Sequence, residues 1–228
     1  MPQALVFGAT GAIGGAVAEG LRDAGFAVAG TGREGEQGIM SLDPVDDERS
    51  LAILDGLPAL DAVVWAQGAN VNDSAEKVQR RSYEQIMAAN VTYVVVTLSH
   101  LLRTAALGSP ARMVVISSIW EQVARPGKFS YTVSKAALGG LVRAAAADLA
   151  ADGHLINSVG PGVTDTAMTR AMLSEAEIER VGGQTGFDRL TALSDVAGMV
   201  VHLCSAANSG VTGQSIAVDL GFASGRRL

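Results

Sequence analysis

The sequence predicts a doubly wound α/β fold of the Rossmann type, with one parallel sheet covered by helices on both faces. Several short runs are apolar throughout, and such strands are typical of sheets that are buried on both sides. Segments with helical spacing of apolar residues follow these runs in turn, so parallel βαβ crossovers are expected. The 228 residues show no repeat or linker that would split them. We therefore expect one domain over 1–228, with ligands bound beyond the carboxyl ends of the strands.

The expected elements alternate along the chain. Strands are predicted at 4–7, 26–31, 40–42, 62–65, 113–116, 155–159 and 215–218. Helices are predicted over 12–24, through Leu51 and Leu54, over 82–107 with a break near Asn90, over 131–151 and over 194–205. The run at 113–116 is the clearest buried strand, because every residue in it is apolar.

Composition argues against several classes of function. The formal net charge is −6 and no basic stripe is present, which disfavours a nucleic-acid partner. The single cysteine, Cys204, cannot form an intramolecular disulfide and fits a reducing compartment. The uncharged stretch 1–18 has no basic segment of the kind that begins a signal peptide. The uncharged stretch 86–102 is short for a helix that spans a bilayer. We interpret both stretches as buried core elements. We expect a cytoplasmic protein with no membrane partner and, given its scattered histidines, no metal site.

A glycine-rich turn follows the first strand and opens the first helix. Its sequence, from residue 8 to residue 14, is Gly-Ala-Thr-Gly-Ala-Ile-Gly. Glycines permit a tight turn and a close approach of backbone N–H groups to a pyrophosphate, and the helix N-terminus favours the same anion. Such a turn can also be a simple tight connection. The strand before it and the helix after it favour dinucleotide binding, with candidate residues Gly8, Thr10, Gly11, Ile13 and Gly14.

The end of the second strand indicates which dinucleotide is preferred. A carboxylate at this position accepts hydrogen bonds from the ribose 2′-hydroxyl of NAD, whereas this chain has Thr31-Gly32-Arg33. A guanidinium can pair with a 2′-phosphate, so NADP(H) is favoured and NAD(H) remains an alternative. Arg33 can equally be an ordinary solvated surface residue.

A serine, a tyrosine and a lysine form the candidate catalytic group. Tyr131 and Lys135 lie one helical turn apart, on one face of a predicted helix. A tyrosine is a poor base at neutral pH, and a nearby fixed positive charge brings its pKa towards the working range. Ser118 ends the apolar strand before this helix, so all three side chains can converge on one cleft.

These motifs together resemble the short-chain dehydrogenase/reductase family. The resemblance covers essentially the whole chain, with each motif in the family's order and spacing. The matching features are the glycine-rich turn, Asn90, Ser118, Tyr131-Thr132-Val133-Ser134-Lys135, Pro161-Gly162, and Thr212-Gly213-Gln214 with Asp219.

The resemblance implies a role for each of these residues. Tyr131 would exchange a proton with the substrate oxygen, Lys135 would bind the nicotinamide ribose and lower the pKa of the tyrosine, and Ser118 would polarise the carbonyl. Asn90 would hold a water that links Lys135 to solvent. The cofactor would further contact Asp43 beside the adenine, Gly68 on the adenosine side, and Pro161, Gly162, Val163 and Thr166 around the nicotinamide.

The chain departs from the family pattern in three places. Ala12 stands where the commonest glycine-rich turn has glycine, and Asp219-Leu220-Gly221 replaces the usual Asp-Gly-Gly. The usual Asn-Asn-Ala-Gly after the fourth strand reads Trp65-Ala66-Gln67-Gly68. The strut that those asparagines provide must therefore be replaced or absent, and a buried Trp65 needs an acceptor for its indole N–H.

Two hypotheses of function follow. The first is an NADP(H)-dependent oxidoreductase that interconverts a small carbonyl compound and an alcohol, and forms a dimer or tetramer. The second is a non-catalytic dinucleotide sensor or partner-binding module on the same fold. Segments 119–130 and 167–191 are expected to line the substrate pocket; they contain Trp120, Glu121, Arg125, Lys128, Met168, Met172 and Phe187.

Overall fold

The computed structural model describes residues 1–35, 38–166, 169–170 and 173–225. Within this part of the chain, seven parallel strands form one sheet in the order β3-β2-β1-β4-β5-β6-β7, which confirms the doubly wound prediction. The strands are β1 (Gln3–Phe7), β2 (Ala27–Gly32), β3 (Ile39–Ser41), β4 (Leu60–Trp65), β5 (Leu107–Ile116), β6 (Leu155–Pro161) and β7 (Ser215–Val218).

Helices connect the strands. They are α1 (Ala12–Asp23), α2 (Arg80–Met87), α3 (Tyr93–Arg103), α4 (Phe129–Leu149), α5 (Glu175–Gly182) and α6 (Leu193–Cys204). Short 3₁₀ turns cover Glu48–Leu54, Ile119–Glu121 and Ala150–Asp152, and a π-turn covers Ala88–Thr92. The helix predicted through Leu51 and Leu54 is thus a 3₁₀ turn.

The core lies in two layers, one on each face of the sheet. On one face, α3 and α4 pack against alternate residues of β1, β4 and β5, with Phe7, Trp65 and Met113 at the centre. On the other face, α1 and α6 pack against the intervening residues of the same strands. Because both faces of each central strand are covered, a run such as Ala62–Trp65 is apolar at every position.

The topology creates one switch point, where the chain reverses its direction of winding. Strand β1 pairs with β2 on one side and with β4 on the other, while the connection from β3 crosses back to β4. The loops after β1 and β4 therefore diverge and leave a crevice at the carboxyl edge of the sheet.

The helical segment 80–103 packs against this core with part of its surface. It is the one described helical segment long and apolar enough to cross a bilayer by those two criteria. Val94, Leu98 and Leu101 of α3 pack into the core cluster instead, as expected for a core helix. The π-turn at Ala88–Thr92 falls where the sequence predicts a break near Asn90.

Candidate active site

A crevice of about 530 Å³ opens at the switch point, between the loops that follow β1, β2 and β4. This volume lies in the range of cofactor and ligand sites. Of the predicted cofactor residues, Gly8, Thr10, Gly11, Arg33, Asp43 and Gly68 line it. Ile13 and Gly14 do not: Ile13 packs against the core, and Gly14 supports the turn from behind.

The glycine-rich turn is shaped by two close approaches. Gly8 has a φ of +75°, and a Cβ there would lie 2.6 Å from the backbone nitrogen of Gln67. A Cβ on Gly14 would lie 2.1 Å from the carbonyl oxygen of Gly8. Since backbone atoms cannot yield to such contacts, both positions require glycine.

The floor of the crevice offers free hydrogen-bonding groups. Helix α1 begins after Gly11, and no side chain caps its N-terminus. The side-chain oxygen of Gln67, also in the lining, is buried and has no hydrogen-bond partner among the described residues. Uncapped helix N–H groups and a buried acceptor suit a ligand with phosphates and hydroxyls. These observations fit a nicotinamide dinucleotide in this crevice.

Ser118 and Tyr131 meet beyond the end of β5. The Ser118 hydroxyl accepts a hydrogen bond from the Trp120 backbone at 3.3 Å and is also hydrogen-bonded to the Tyr131 side chain. Ser118 is buried, whereas Tyr131 is partly exposed. Two adjacent hydroxyls, one with access to solvent, can together hold a carbonyl or alcohol oxygen.

Lys135 lies beneath the same phenol. Its amine is 5.6 Å from the Tyr131 ring centroid and donates to the carbonyl oxygen of Ile116 at 3.1 Å. A Cβ built on Gly68 would lie 3.7 Å from this amine, so Lys135 borders the crevice. The structure thus brings together the three side chains that the sequence predicts to converge.

Burial dominates the acid–base properties of this group. Desolvation raises the pKa of Tyr131, and the hydrogen bond with Ser118 acts in the lowering direction. Desolvation lowers the pKa of Lys135 to about 8, with Glu121 opposing that shift. The sequence argument predicts a lowered pKa for the tyrosine; in this structure the loss of hydration outweighs the bond that would lower it. A protonated Tyr131 is ready to act as an acid.

Asn90 forms hydrogen bonds with residues next to this group. It is fully buried in the π-turn, where its Oδ1 accepts from the Ala69 backbone at 2.7 Å and its Nδ2 donates to Ser134 Oγ at 2.9 Å. Nδ2 also donates to the Ala69 carbonyl oxygen at 3.1 Å. The Asn90 amide therefore connects the loop after β4 to α4 through hydrogen bonds. The water-binding role predicted for Asn90 stays a prediction.

The remaining predicted cofactor residues follow the carboxyl end of β6. Pro161 ends that strand, Gly162 donates its N–H to Val218 at 2.9 Å, and the Val163 carbonyl accepts from Thr191 at 3.1 Å. Thr166 Oγ1 accepts from the Thr169 backbone at 3.1 Å. These four residues lie at the same sheet edge as Ser118 but outside the lining of the crevice. Met168 and Met172 lie outside the described residues.

Two residues that hold the site in place, Ser134 and Asp73, are not among those predicted from the sequence. Ser134 receives the Asn90 amide and donates its hydroxyl to the Tyr131 carbonyl at 2.8 Å. Asp73 bonds both the backbone and the hydroxyl of Ser130 and so holds the loop before α4. Ser134 lies within the Tyr-x-x-x-Lys segment and could have been noticed there, whereas nothing marks Asp73.

Glu121, which belongs to a segment predicted to line the substrate pocket, is bound by residues of the sheet. Its carboxylate accepts hydrogen bonds from the hydroxyls of Ser158 and Ser215. A Cβ on Gly139 would lie 2.3 Å from the same carboxylate, so the missing side chain makes room for it. Glu121 is consequently held between α4, β6 and β7. In the described part of the chain, no cluster of His, Cys, Asp and Glu is arranged to hold a metal ion.

Comparisons with known proteins agree with this architecture. Residues 48–223 match the family model described as enoyl-(acyl carrier protein) reductase. The chain is 28% identical to gluconate 5-dehydrogenase of Gluconobacter oxydans (strain 621H), covering 96% of this chain and 94% of that one. It is 29% identical to the 3-oxoacyl-[acyl-carrier-protein] reductase of Aquifex aeolicus (strain VF5), covering 96% of each.

A solved structure shares the whole fold. The short chain dehydrogenase family protein from Francisella tularensis subsp. tularensis SCHU S4 superimposes with a TM-score of 0.90 at 23% identity, covering 99% of this chain and 100% of that one. This likeness concerns the fold alone.

Proposed function

This chain belongs to the short-chain dehydrogenase/reductase family of oxidoreductases, and from that premise we propose that it interconverts a ketone or aldehyde and an alcohol with NADP(H). The observation that carries the proposal is the convergence of Ser118, Tyr131 and Lys135 beside the crevice at the switch point. Relatives named gluconate 5-dehydrogenase and 3-oxoacyl-[acyl-carrier-protein] reductase act on this class of functional group.

The chain's own residues handle the oxygen of the substrate. When bound, the dinucleotide supplies or accepts the hydride at the carbon. In the reductive direction, Ser118 donates a hydrogen bond to the carbonyl oxygen, and Tyr131 transfers its proton to that oxygen as the C–H bond forms. The product is the alcohol, and the phenolate left on Tyr131 recovers a proton from solvent. The raised pKa of Tyr131 keeps the phenol protonated at neutral pH and so favours this acid role.

Different residues at the sheet edge would hold different parts of the dinucleotide. Gly8, Thr10 and Gly11 would receive the pyrophosphate at the start of α1. Lys135 would hydrogen-bond the nicotinamide ribose, and Pro161, Gly162, Val163 and Thr166 would surround the nicotinamide. Asp43 would lie beside the adenine.

The preference for NADP(H) over NAD(H) rests on Arg33. It is exposed, it lines the crevice directly after β2, and its guanidinium can pair with a 2′-phosphate. A cytoplasmic location and a dimer or tetramer complete the proposal.

The test is the consumption of NADPH, against NADH, with small ketones, 3-oxoacyl thioesters and one enoyl thioester. We expect turnover of a carbonyl compound by the wild-type protein and a loss of about 10²- to 10⁴-fold in kcat for Tyr131→Phe, since the phenyl ring cannot donate a proton. NADPH affinity, measured by fluorescence, should be equal in both proteins because the phenol hydroxyl is not needed to fill the crevice.

Three other outcomes would each change the assignment. Equal turnover by wild type and Tyr131→Phe would remove Tyr131 from the mechanism. Turnover of the enoyl thioester alone would replace carbonyl chemistry with reduction of a carbon–carbon double bond. Binding of NADPH without any turnover would favour the non-catalytic module.

A further inference from the structure

A second lysine lies beside the catalytic phenol and has no part in the mechanism above. Lys128 is the last residue before α4, and only 4% of it is exposed. Its amine lies 5.4 Å from the Tyr131 ring centroid, as close as the amine of Lys135 at 5.6 Å. The ring of Tyr131 therefore has two amines close to it, one from the residue before α4 and one from the helix itself.

Lys128 has no carboxylate in direct contact with its amine among the described residues. Its amine donates to Asn70 Oδ1 at 2.7 Å, which is a neutral acceptor. None of the ion pairs formed by the described residues includes it. Asp73 attracts the amine from a longer distance, while its carboxylate accepts hydrogen bonds from the backbone and the hydroxyl of Ser130.

The surroundings make this amine costly to keep charged. Burial lowers the pKa of Lys128, and the neighbouring Arg125 lowers it further, with Asp73 acting in the opposite direction. A buried cation whose direct hydrogen bond goes to a neutral amide, with a carboxylate acting on it only from beyond ion-pair distance, is incompletely compensated for its desolvation. An anion in direct contact with the Lys128 amine would supply the negative charge that this cation lacks at short range.

The two lysines differ in their relation to the crevice. Lys135 borders the crevice through Gly68. Neither Lys128 nor its partner Asn70 belongs to the crevice lining, although Gly68 and Ala69 do. A ligand at Lys128 would therefore lie outside the lining of the crevice that fits the dinucleotide.

We infer that Lys128 binds an anionic group of the substrate, a carboxylate, while Tyr131 and Ser118 hold the reacting oxygen. The inference rests on the proposed function and narrows it to hydroxy acids and oxo acids. Both groups must belong to one small molecule, because the amine is only 5.4 Å from the phenol ring. Asn70 fixes the amine for this contact.

Three variants separate this role from a structural one. Lys128→Met keeps the length and apolar stem of the side chain but removes its charge. Asn70→Asp keeps the bond to Lys128 and places a carboxylate where the amide was, so it satisfies the cation internally and repels an anion. Lys77→Met is the matched control, since Lys77 is an exposed lysine that is not among the charges acting on Lys128.

The measurement is calorimetric binding of oxo acids and their neutral amides. The probes are 4-oxopentanoate, 5-oxohexanoate and 4-oxocyclohexanecarboxylate, each with its carboxamide, titrated into protein with and without NADP⁺. Ketones do not turn over with the oxidised dinucleotide, so the readout is independent of activity. We expect at least one acid to bind wild type more tightly than its amide, and Lys128→Met and Asn70→Asp to weaken that acid by about 10- to 100-fold. Amide binding should be unchanged in all variants.

The inference is overturned by any of three results: no acid binds better than its amide, Asn70→Asp binds acids as wild type does, or Lys77→Met weakens them equally. A structural role for the Lys128–Asn70 bond would predict the second result, because Asn70→Asp preserves that bond. A failure of NADP⁺ binding or of turnover would count against the proposed function instead, and leaves the comparison of acids with amides intact.

Discussion

Tyr131 draws its chemistry from what surrounds it. The phenol is hydrogen-bonded to Ser118, and the amines of two buried lysines, Lys128 and Lys135, lie 5.4 and 5.6 Å from its ring centroid. Burial acts in opposite directions on the two kinds of group, because it disfavours the charged form of each. The phenol is therefore held protonated, while both lysines are made easier to deprotonate.

At Lys135 this arrangement has a measurable cost in stability. Its pKa falls from 10.5 to about 8 on folding, so the folded protein binds this proton less tightly than the unfolded chain does. The free energy of unfolding is lowered by roughly 3 kcal/mol below pH 8, and the penalty disappears as the pH rises to about 10.5. We expect Lys135→Met to raise the free energy of unfolding by about 2 kcal/mol at pH 7, after about 1 kcal/mol is deducted for the lost bond to Ile116.

Urea unfolding at pH 7 and at pH 10 tests this expectation. The gain from Lys135→Met should be largest at pH 7 and smaller at pH 10, while the variant loses activity. Lys77→Met, at an exposed position, should change stability by less than about 0.5 kcal/mol at either pH. A destabilised Lys135→Met at pH 7 would show that the amine contributes more to folding than its desolvation costs.

Single residues also show where sequence reasoning succeeds and where it stops. Ser118, Tyr131 and Lys135 could be predicted because a strand end and one helical turn determine their proximity. Glu121 could not, since its position depends on the missing side chain of Gly139 and on hydroxyls from two distant strands. Lys128 was expected only as one of several pocket residues; its burial and its neutral partner are visible in the structure alone.

Among the elements, β4 carries the departure from the family pattern. Trp65 is fully buried, stacks on Phe7 with ring centroids 5.6 Å apart and donates its indole N–H to Thr97 Oγ1 at 2.8 Å. The expected need for an acceptor is thus met by α3. Asn90 supplies the other tie, between the loop after β4 and α4. The hydrogen bonds of Trp65 with Thr97 and of Asn90 with Ala69 and Ser134 thus replace the tie that the family's asparagines provide. The local sequence does not identify these residues as partners.

We expect Thr97→Val to lower the free energy of unfolding by about 1 to 3 kcal/mol. Valine has nearly the shape of threonine, so the main effect is a buried indole N–H left without an acceptor. Chemical unfolding of Thr97→Val, Trp65→Phe and the double variant gives the coupling between the two side chains. In the Trp65→Phe background, Thr97→Val should cost much less. Equal costs in both backgrounds would mean that the bond between strand and helix contributes little.

The boundaries of the elements differ from expectation where polar residues interrupt the pattern. Strand β5 begins at Leu107 and not at 113, because its first half pairs with β4 across a bulge and contains exposed residues. Apolar periodicity cannot detect a strand that lies partly outside the core. The break at Asn90 was predictable from one polar residue in an apolar helix, but its form as a π-turn depends on the contacts of the buried amide.

On the scale of the whole molecule, the candidate site residues that follow the strands share one edge of the sheet. The glycine-rich turn follows β1, Arg33 follows β2, Gly68 follows β4, Ser118 follows β5 and Pro161 ends β6. This placement follows from parallel topology, which brings the carboxyl ends of all strands together. The outer faces of the helices, which do not pack against the sheet, are free to make contacts outside this fold.

The outer face of α3 carries an apolar surface that the fold does not cover. Val95 is 48% exposed and Leu102 is 39% exposed. They lie two turns apart on the same side of the helix, so they form one patch. The predicted dimer or tetramer would bury this patch, and exposed apolar surface of this kind is typical of interfaces.

We therefore expect a dimer or tetramer at micromolar concentration, and a monomer after the double substitution Val95→Glu with Leu102→Glu. Glutamate retains helix propensity, but two carboxylates at a self-complementary interface would face each other without partners. Light scattering coupled to size-exclusion chromatography gives the mass directly. Val211→Glu is the control, because Val211 is 38% exposed but lies outside the helices. A monomeric wild type, or dissociation by Val211→Glu alone, would place the association surface elsewhere or remove it altogether.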